Sequence, residues 1–366
     1  MQMTSKWKAL ADLGQSVWYD NVARPALESG LLARLMAEDN VTGGTSNPSI
    51  FANAVQKSDM YDADIRAAPA DATPQQVFER MAAADITNAC DLMRPAWEKS
   101  GGRDGFISLE VEADFAFAEE DTVSRARAIW GQIGRPNLMV KVPGTAAGVN
   151  AFRRLTADGI NINVTLLFAV KRYREIADAY IEGLEQRLDA GGDLSHIDSV
   201  ASFFVSRIDN KVDAKLPDDS PLRDRIAIAN AKVAYADVYQ VVFAGPRWER
   251  LKAAGANPQR PLWASTSTKN PAYPATLYAD ELIGPDTVNT VPDATLDAFR
   301  EGGHPARTLD RDVDAARAEL KALADAGVDL AGITDELERE GVEAFQQAYN
   351  GMIDAIAEKR SSVAAD

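Results

Sequence analysis

Eight short β-prone runs recur along the chain, most of them separated by segments of helical periodicity, and this alternation constrains the fold more than any other feature. The runs are SVWYD (16–20), NVTGGTS (40–46), GFISLEVE (105–112), NLMVKVP (137–143), INVTLLF (162–168), IDSVASFFV (197–205), RPLWAST (260–266) and DTVNTVP (286–292). Between them, TVSRARAIWGQI spaces Val123, Ala126, Ile129, Trp130 and Ile133 by helical intervals. Tyr173, Ile176, Tyr180, Leu184 and Leu188 form a second stripe that Gly191 and Gly192 end. Eight strands in alternation with helices predict an α/β fold, the (β/α)8 or TIM barrel. An open doubly wound sheet is the competitor, and no GxGxxG turn follows the first strand to support it. Strands two and three are far enough apart for an extra helix at about 74–99, and the tail at about 310–360 reads as a helical extension packed on the barrel. The expectation is one barrel domain over 1–366, with core strands at about 16–292.

Bulk properties narrow the class. No apolar run approaches the ~18 residues that span a bilayer, and MQMTSKWKALADLGQ lacks the apolar centre of a signal peptide. Cys90 is the only cysteine, which excludes an internal disulfide framework and fits a reducing cytoplasm; it reads as a small buried hydrophobe on a helix. The formal charge of −16, from 39 basic and 55 acidic side chains, argues against nucleic acid or an anionic membrane as partner. With only His196 and His304, both read as structural, a histidine metal site or a serine-type triad has little material.

A barrel requires catalytic groups at or just after the C-terminal ends of its strands. Polar residues gather there: Asp20 after strand one, then Thr45, Ser46 and Asn47, Glu110 with Glu112, and Lys141. Asn163 and Thr165, Ser202 with Arg207 beyond it, and Ser265 continue the series. Residues two apart on a strand share a face, so Glu110 and Glu112 are expected to point together, as are Asn163 and Thr165. Several have structural alternatives. Asn47 precedes Pro48 and suits a helix N-cap, as does Thr145, and Asp20 can cap a helix as well. Arg207 and Lys269, taken singly, read as surface charges.

Lys141 has the weakest structural alternative. Strands of a parallel barrel are covered on both faces, so its ammonium faces the interior or the upper mouth. Burying an unpaired ammonium is costly, and lysine escapes by becoming neutral. A neutral lysine attacks carbonyls to form a Schiff base, and the apolar neighbours of Lys141 are expected to favour that form.

The chain resembles transaldolases, in particular the longer bacterial type. The matching stretches are GTSNPSIF (44–51), SLEVEAD (108–114), LMVKVPGT (138–145), GININVTLLF (159–168), SVASFFVSRID (199–209) and WASTSTKNPAY (263–273), six motifs in order. The resemblance implies that Lys141 forms the Schiff base with a ketose donor. It gives Glu110 the role of general acid and base through a water that Thr165 helps to hold, and makes Asp20 the base at the C4 hydroxyl. Asn47 and Asn163 would orient the donor and the lysine, with Thr45 and Ser202 lining the substrate and Arg207 and Ser265 at its phosphate. Shorter relatives have an arginine close after this serine; here the run reaches Lys269, which is inferred to take the cationic role without the arginine fork.

The implied reaction, in the pentose phosphate pathway, moves a dihydroxyacetone unit between sugar phosphates. Its donor is sedoheptulose 7-phosphate or fructose 6-phosphate, and its acceptor glyceraldehyde 3-phosphate or erythrose 4-phosphate. No metal or organic cofactor is implied, and the enzyme is expected to be cytoplasmic, as a monomer or homodimer. Two alternatives remain: a fructose 6-phosphate aldolase that releases dihydroxyacetone, and a non-catalytic sugar-phosphate-binding barrel. The Glu110 motif and the chain length favour the transferase. The set of Lys141, Glu110 and Asp20 speaks against mere binding, which needs no nucleophile.

Overall fold

The computed structural model describes residues 5–363, so the first four residues of the N-terminal stretch read above lie outside it. Eight parallel strands close into a barrel in sequence order: β1 Gln15–Tyr19, β2 Val41–Thr45, β3 Ile107–Glu110, β4 Leu138–Pro143, β5 Ile162–Leu167, β6 Ser199–Phe204, β7 Arg260–Ala264 and β8 Thr287–Val291. Seven fall inside the runs that predicted them, and β1 starts one residue ahead of its run, at Gln15. Outward-facing residues such as Val140, Val142, Ile162 and Val164 are fully buried under the surrounding helices, which is why the strands read as continuous apolar runs.

The interior is built in levels. An apolar plug of Trp18, Phe106, Met139, Val200, Leu262 and Val288 fills the middle. Below it, Asp104 accepts hydrogen bonds from Ser16 Oγ (2.5 Å), Thr42 Oγ1 (2.7 Å) and Trp18 Nε1 (2.8 Å), and Arg260 donates to Ser16 Oγ at 2.8 Å. The N-terminal end is thereby sealed with paired polar groups. Gly43 on β2 makes room for the plug, since a Cβ there would lie 2.5 Å from Trp18 Nε1.

The helix anticipated between strands two and three runs over Pro74–Lys99. A capping box of Thr73 and Gln76 starts it. Cys90 is fully buried on this helix, and burial pushes its thiol up to about 12, as suits an inert core residue. The tail forms two helices, Val313–Asp325 and Leu330–Val363. The second, of 34 residues, packs on the barrel as expected, against the helices Pro48–Lys57 and Pro74–Lys99, and its Ala344, Phe345 and Ala348 also border the cleft at the C-terminal mouth. Lys211 anchors it through Glu340 (2.7 Å) and Glu336 (3.0 Å), Gln346 through Asp114 (2.6 Å), and Lys359 through Asp62 (3.1 Å). Among the described residues no helix is long and apolar enough to cross a membrane.

Gly43→Ala is expected to destabilise the barrel by about 1–3 kcal/mol, the cost of overpacking a filled core. Thermal unfolding of the variant should show a lower Tm. An unchanged Tm would mean that the plug has slack at Trp18.

Candidate active site

Strand register explains why Lys141 meets a carboxylate. Glu110 on β3 pairs in register with Lys141 on β4, and Lys141 pairs with Asn163 on β5. Adjacent strands lie about 4.8 Å apart, so these three inward side chains stand side by side at one level. Lys141 Nζ lies 2.9 Å from Glu110 Oε1 and donates to the Ser46 carbonyl at 3.0 Å. The two side chains are only 8% and 11% exposed. This corrects the reading of the lysine's apolar neighbours. Val140 and Val142 point outward into the helical layer, and what surrounds the ammonium is a carboxylate and a carbonyl.

Glu112 also departs from expectation. β3 ends at Glu110, the Val111 amide donates to the Lys141 carbonyl, and the chain turns into a short helical turn at Ala113–Phe115. The alternation that would align Glu112 with Glu110 is broken there, and Glu112 pairs with Arg125 at 2.7 Å.

Burial raises the proton affinity of Glu110, with a smaller contribution from Asp20, against the opposing pull of Lys141. Its second oxygen, Oε2, has no partner among the described residues. Glu110 and Thr165 both line a side cavity of about 10 Å³, roughly the room that one water needs. Thr165 also faces the main cleft. It sits beside a bulge in β5, where Val164 and Leu167 pair with Ala201 and Phe203 so that one residue is extra. Leu166 takes up the irregularity at φ +60°, a left-handed conformation that is strained for a branched side chain. Such bulges re-aim neighbouring side chains beside active sites.

A cleft of about 340 Å³ opens above this level. It is lined by ten of the eleven residues picked from the sequence: Asp20, Thr45, Asn47, Lys141, Asn163, Thr165, Ser202, Arg207, Ser265 and Lys269. Glu110 lies behind Lys141, on the side cavity. Polar contacts fix the walls. Thr45 Oγ1 donates to Asp20 Oδ1 at 2.6 Å and lies 2.8 Å from Thr290 Oγ1. Ser202 donates to Asn163 Oδ1 at 2.6 Å, and Asn163 Nδ2 donates to Ser108 Oγ at 3.2 Å. Asn47 is both cap and lining residue, since its side chain accepts from the Ile50 amide at the start of Pro48–Lys57. Thr145 lines neither cavity: it accepts from the Gly148 amide as a cap and donates to the Ala116 carbonyl at 2.5 Å.

Positive charge collects at one edge. Arg207 is half-buried, lies over the Phe204 ring with its guanidinium carbon 5.5 Å from the centroid, and has no bonded carboxylate among the described residues. Burial lowers its pKa from the ordinary value, with Glu340 opposing. Lys269 is exposed, and Ser265, at φ +56°, and Ser267 line the same cleft as the two cations. The arrangement provides a guanidinium with free donors, an ammonium and hydroxyls, which is chemistry that recognises a phosphate.

Several residues that line the cleft or, like Ser108, support its lining escaped sequence reasoning. Ser108 and Thr290 occupy inward positions that strand alternation alone identifies, two residues before Glu110 and two after Val288. Phe204 follows Ser202 on the same parity. Ala344, Phe345 and Ala348 come from the last helix, and no local signal marks them, because the apolar stripe of a helix looks the same whether it faces a core or a cleft.

Comparison with known proteins agrees with the geometry. A family model described as Transaldolase/Fructose-6-phosphate aldolase matches residues 17–356. A protein named Transaldolase from Parafrankia sp. is 47% identical over 367 residues, covering 98% of this chain and 99% of its own. A Transaldolase from Thermobifida fusca is 46% identical over 364 residues, covering 98% and 99%. One from Thiobacillus denitrificans is 45% identical over 352 residues, covering 94% and 98%. With the family model spanning nearly the whole chain and relatives of this identity along its full length, the chain belongs to the transaldolase/fructose-6-phosphate aldolase family.

Proposed function

We propose that this chain is a transaldolase, a single-domain cytoplasmic enzyme that transfers a dihydroxyacetone unit between sugar phosphates through a Schiff base on Lys141. One observation carries the reading. Lys141 is held beside Glu110 at the floor of a cleft whose walls bring Asp20 and whose rim brings Arg207 and Lys269. The names of the relatives support the same activity.

The roles follow from position. A ketose phosphate enters with its phosphate toward Arg207, Lys269 and Ser265 and its carbonyl carbon toward Lys141. Glu110, whose burial makes it hold protons more strongly, accepts the proton that Lys141 sheds before attack. It then supplies that proton, through a water shared with Thr165, as the carbinolamine loses its hydroxyl. Asp20, held by Thr45, takes the proton of the C4 hydroxyl. The C3–C4 bond breaks, its electron pair enters the protonated imine, and an aldehyde leaves. The enamine left on Lys141 attacks the carbonyl of an incoming aldehyde phosphate, and the steps run back to release the new ketose. Asn163, held between Ser202 and Ser108, faces the amine and orients it with the donor, and Asn47 borders the same space.

A coupled assay with fructose 6-phosphate tests the reaction class. The ketose product should form only when erythrose 4-phosphate is present. Release of dihydroxyacetone at the same rate without acceptor would instead identify an aldolase. Asp20→Asn should lower kcat by about 10²–10⁴, the usual worth of a positioned base, while a borohydride-reducible adduct still forms; full turnover would remove Asp20 from its role. Arg207→Ala should raise KM for the phosphorylated donor by about 10–100-fold, the range of a hydrogen bond to a charged group. Arg207→Lys should fall between, and a KM unchanged in both variants would place the phosphate elsewhere.

A further inference from the structure

Transfer demands that the enamine on Lys141 outlive the departure of the first aldehyde without being hydrolysed. The last helix carries a side chain placed to secure this. Gly341, Phe345, Ala348 and Met352 recur at four-, three- and four-residue spacing along it, so they share a face. Gly341 sits so close to the strained β5 bulge that a Cβ there would lie 2.9 Å from Leu166 Cδ2. With the helix anchored on both sides of that contact, the Phe345 ring is fixed over the floor of the cleft, its centroid 5.9 Å from Lys141 Nζ. Phe345 lines the main cleft, and it also lines the side cavity that Glu110 and Thr165 share. Phe204, Ala264, Pro292, Ala344 and Ala348 are the other apolar residues that line the cleft.

We propose that Phe345 determines transferase over hydrolase specificity, by standing between solvent and the Lys141 enamine and confining water to the Glu110–Thr165 cavity. The inference rests on the Schiff-base reading of Lys141 and adds to it a reason why the dihydroxyacetone unit awaits an acceptor. Hydrolysis requires a proton to add at C3 of the enamine and water to add at C2 of the resulting imine. The carbon–nitrogen bond then breaks, the proton returns to nitrogen, and dihydroxyacetone and the free amine are released. An apolar ring over the nitrogen offers water no hydrogen-bond partner there, so neither the proton donor nor the nucleophile is supplied from bulk. The aldehyde acceptor arrives through the main cleft, which Phe345 borders together with the rim cations Arg207 and Lys269.

Phe345→Ala and Phe345→Leu are the test, with the wild-type chain first shown to transfer to erythrose 4-phosphate; absence of that transfer would refute the underlying reading, not this one. In Phe345→Ala the ratio of dihydroxyacetone released to product transferred should rise at least tenfold, and in Phe345→Leu by less. A purely structural role lowers both rates together and leaves the ratio unmoved. Independently, the enzyme is charged with fructose 6-phosphate, donor and released aldehyde are removed, and surviving adduct is counted by borohydride quench over time. The adduct should decay at least tenfold faster in Phe345→Ala than in wild type. If the alanine variant does not fold, the leucine variant decides, with a shortened lifetime expected. A wild-type ratio and lifetime in the folded variant overturns the proposal.

Discussion

Everything in the cleft is arranged around one contact, the 2.9 Å pairing of Lys141 with Glu110 inside the mouth of the barrel. An ion pair with each side chain about a tenth exposed or less is a poor source of stability, because desolvation opposes the attraction. Its value is chemical. Burial makes the carboxylate hold a proton more strongly, beside an amine that must be free of one to attack a carbonyl. The barrel supplies what the pair needs: in-register neighbours on β3 and β4, a carbonyl from the end of β2, and an apolar plug that closes the floor. Breaking the pair from either side would leave a buried charge unpartnered.

The two ends of the cleft divide the work. Acidic and hydroxylic groups lie over the strand ends near Lys141, while Arg207 and Lys269 mark the rim after β6 and β7. In a chain of net charge −16 a half-buried guanidinium with no carboxylate partner among the described residues is conspicuous, since carboxylates are abundant enough to have neutralised it. An anionic substrate is therefore met by a local field of opposite sign to that of the whole molecule. The last helix completes the enclosure as a strap across the mouth, and its ion pairs, Glu340 with Lys211 and Lys359 with Asp62, tie it to both sides.

Much of this was legible in the residues, for a physical reason. Parallel strands buried on both faces read as apolar runs, so polar residues at their C-terminal ends stand out: Lys141 in LMVKVP and Asn163 in INVTLL are the clearest cases. Reading failed where local pattern does not encode direction. Glu112 follows Glu110 at strand spacing, yet the strand stops between them and the second carboxylate turns to Arg125. Val140 and Val142 gave the impression of an apolar setting for Lys141, although neighbours in sequence on a strand face opposite sides. Phe345 lies more than 200 positions beyond Lys141 in the chain, on a helix stripe that resembles any core-facing stripe. Only the path of that helix across the mouth brings the ring to the amine.

The proposed chemistry depends on the Lys141 amine as the nucleophile. Incubation with fructose 6-phosphate and borohydride, followed by peptide mapping by mass spectrometry, tests it most directly. The reduced dihydroxyacetone adduct should be found on the peptide that carries Lys141 and on no other, and Lys141→Ala should abolish it while leaving the folded spectrum intact. An adduct on a different lysine, or labelling that persists in Lys141→Ala, would exclude Lys141 as the nucleophile.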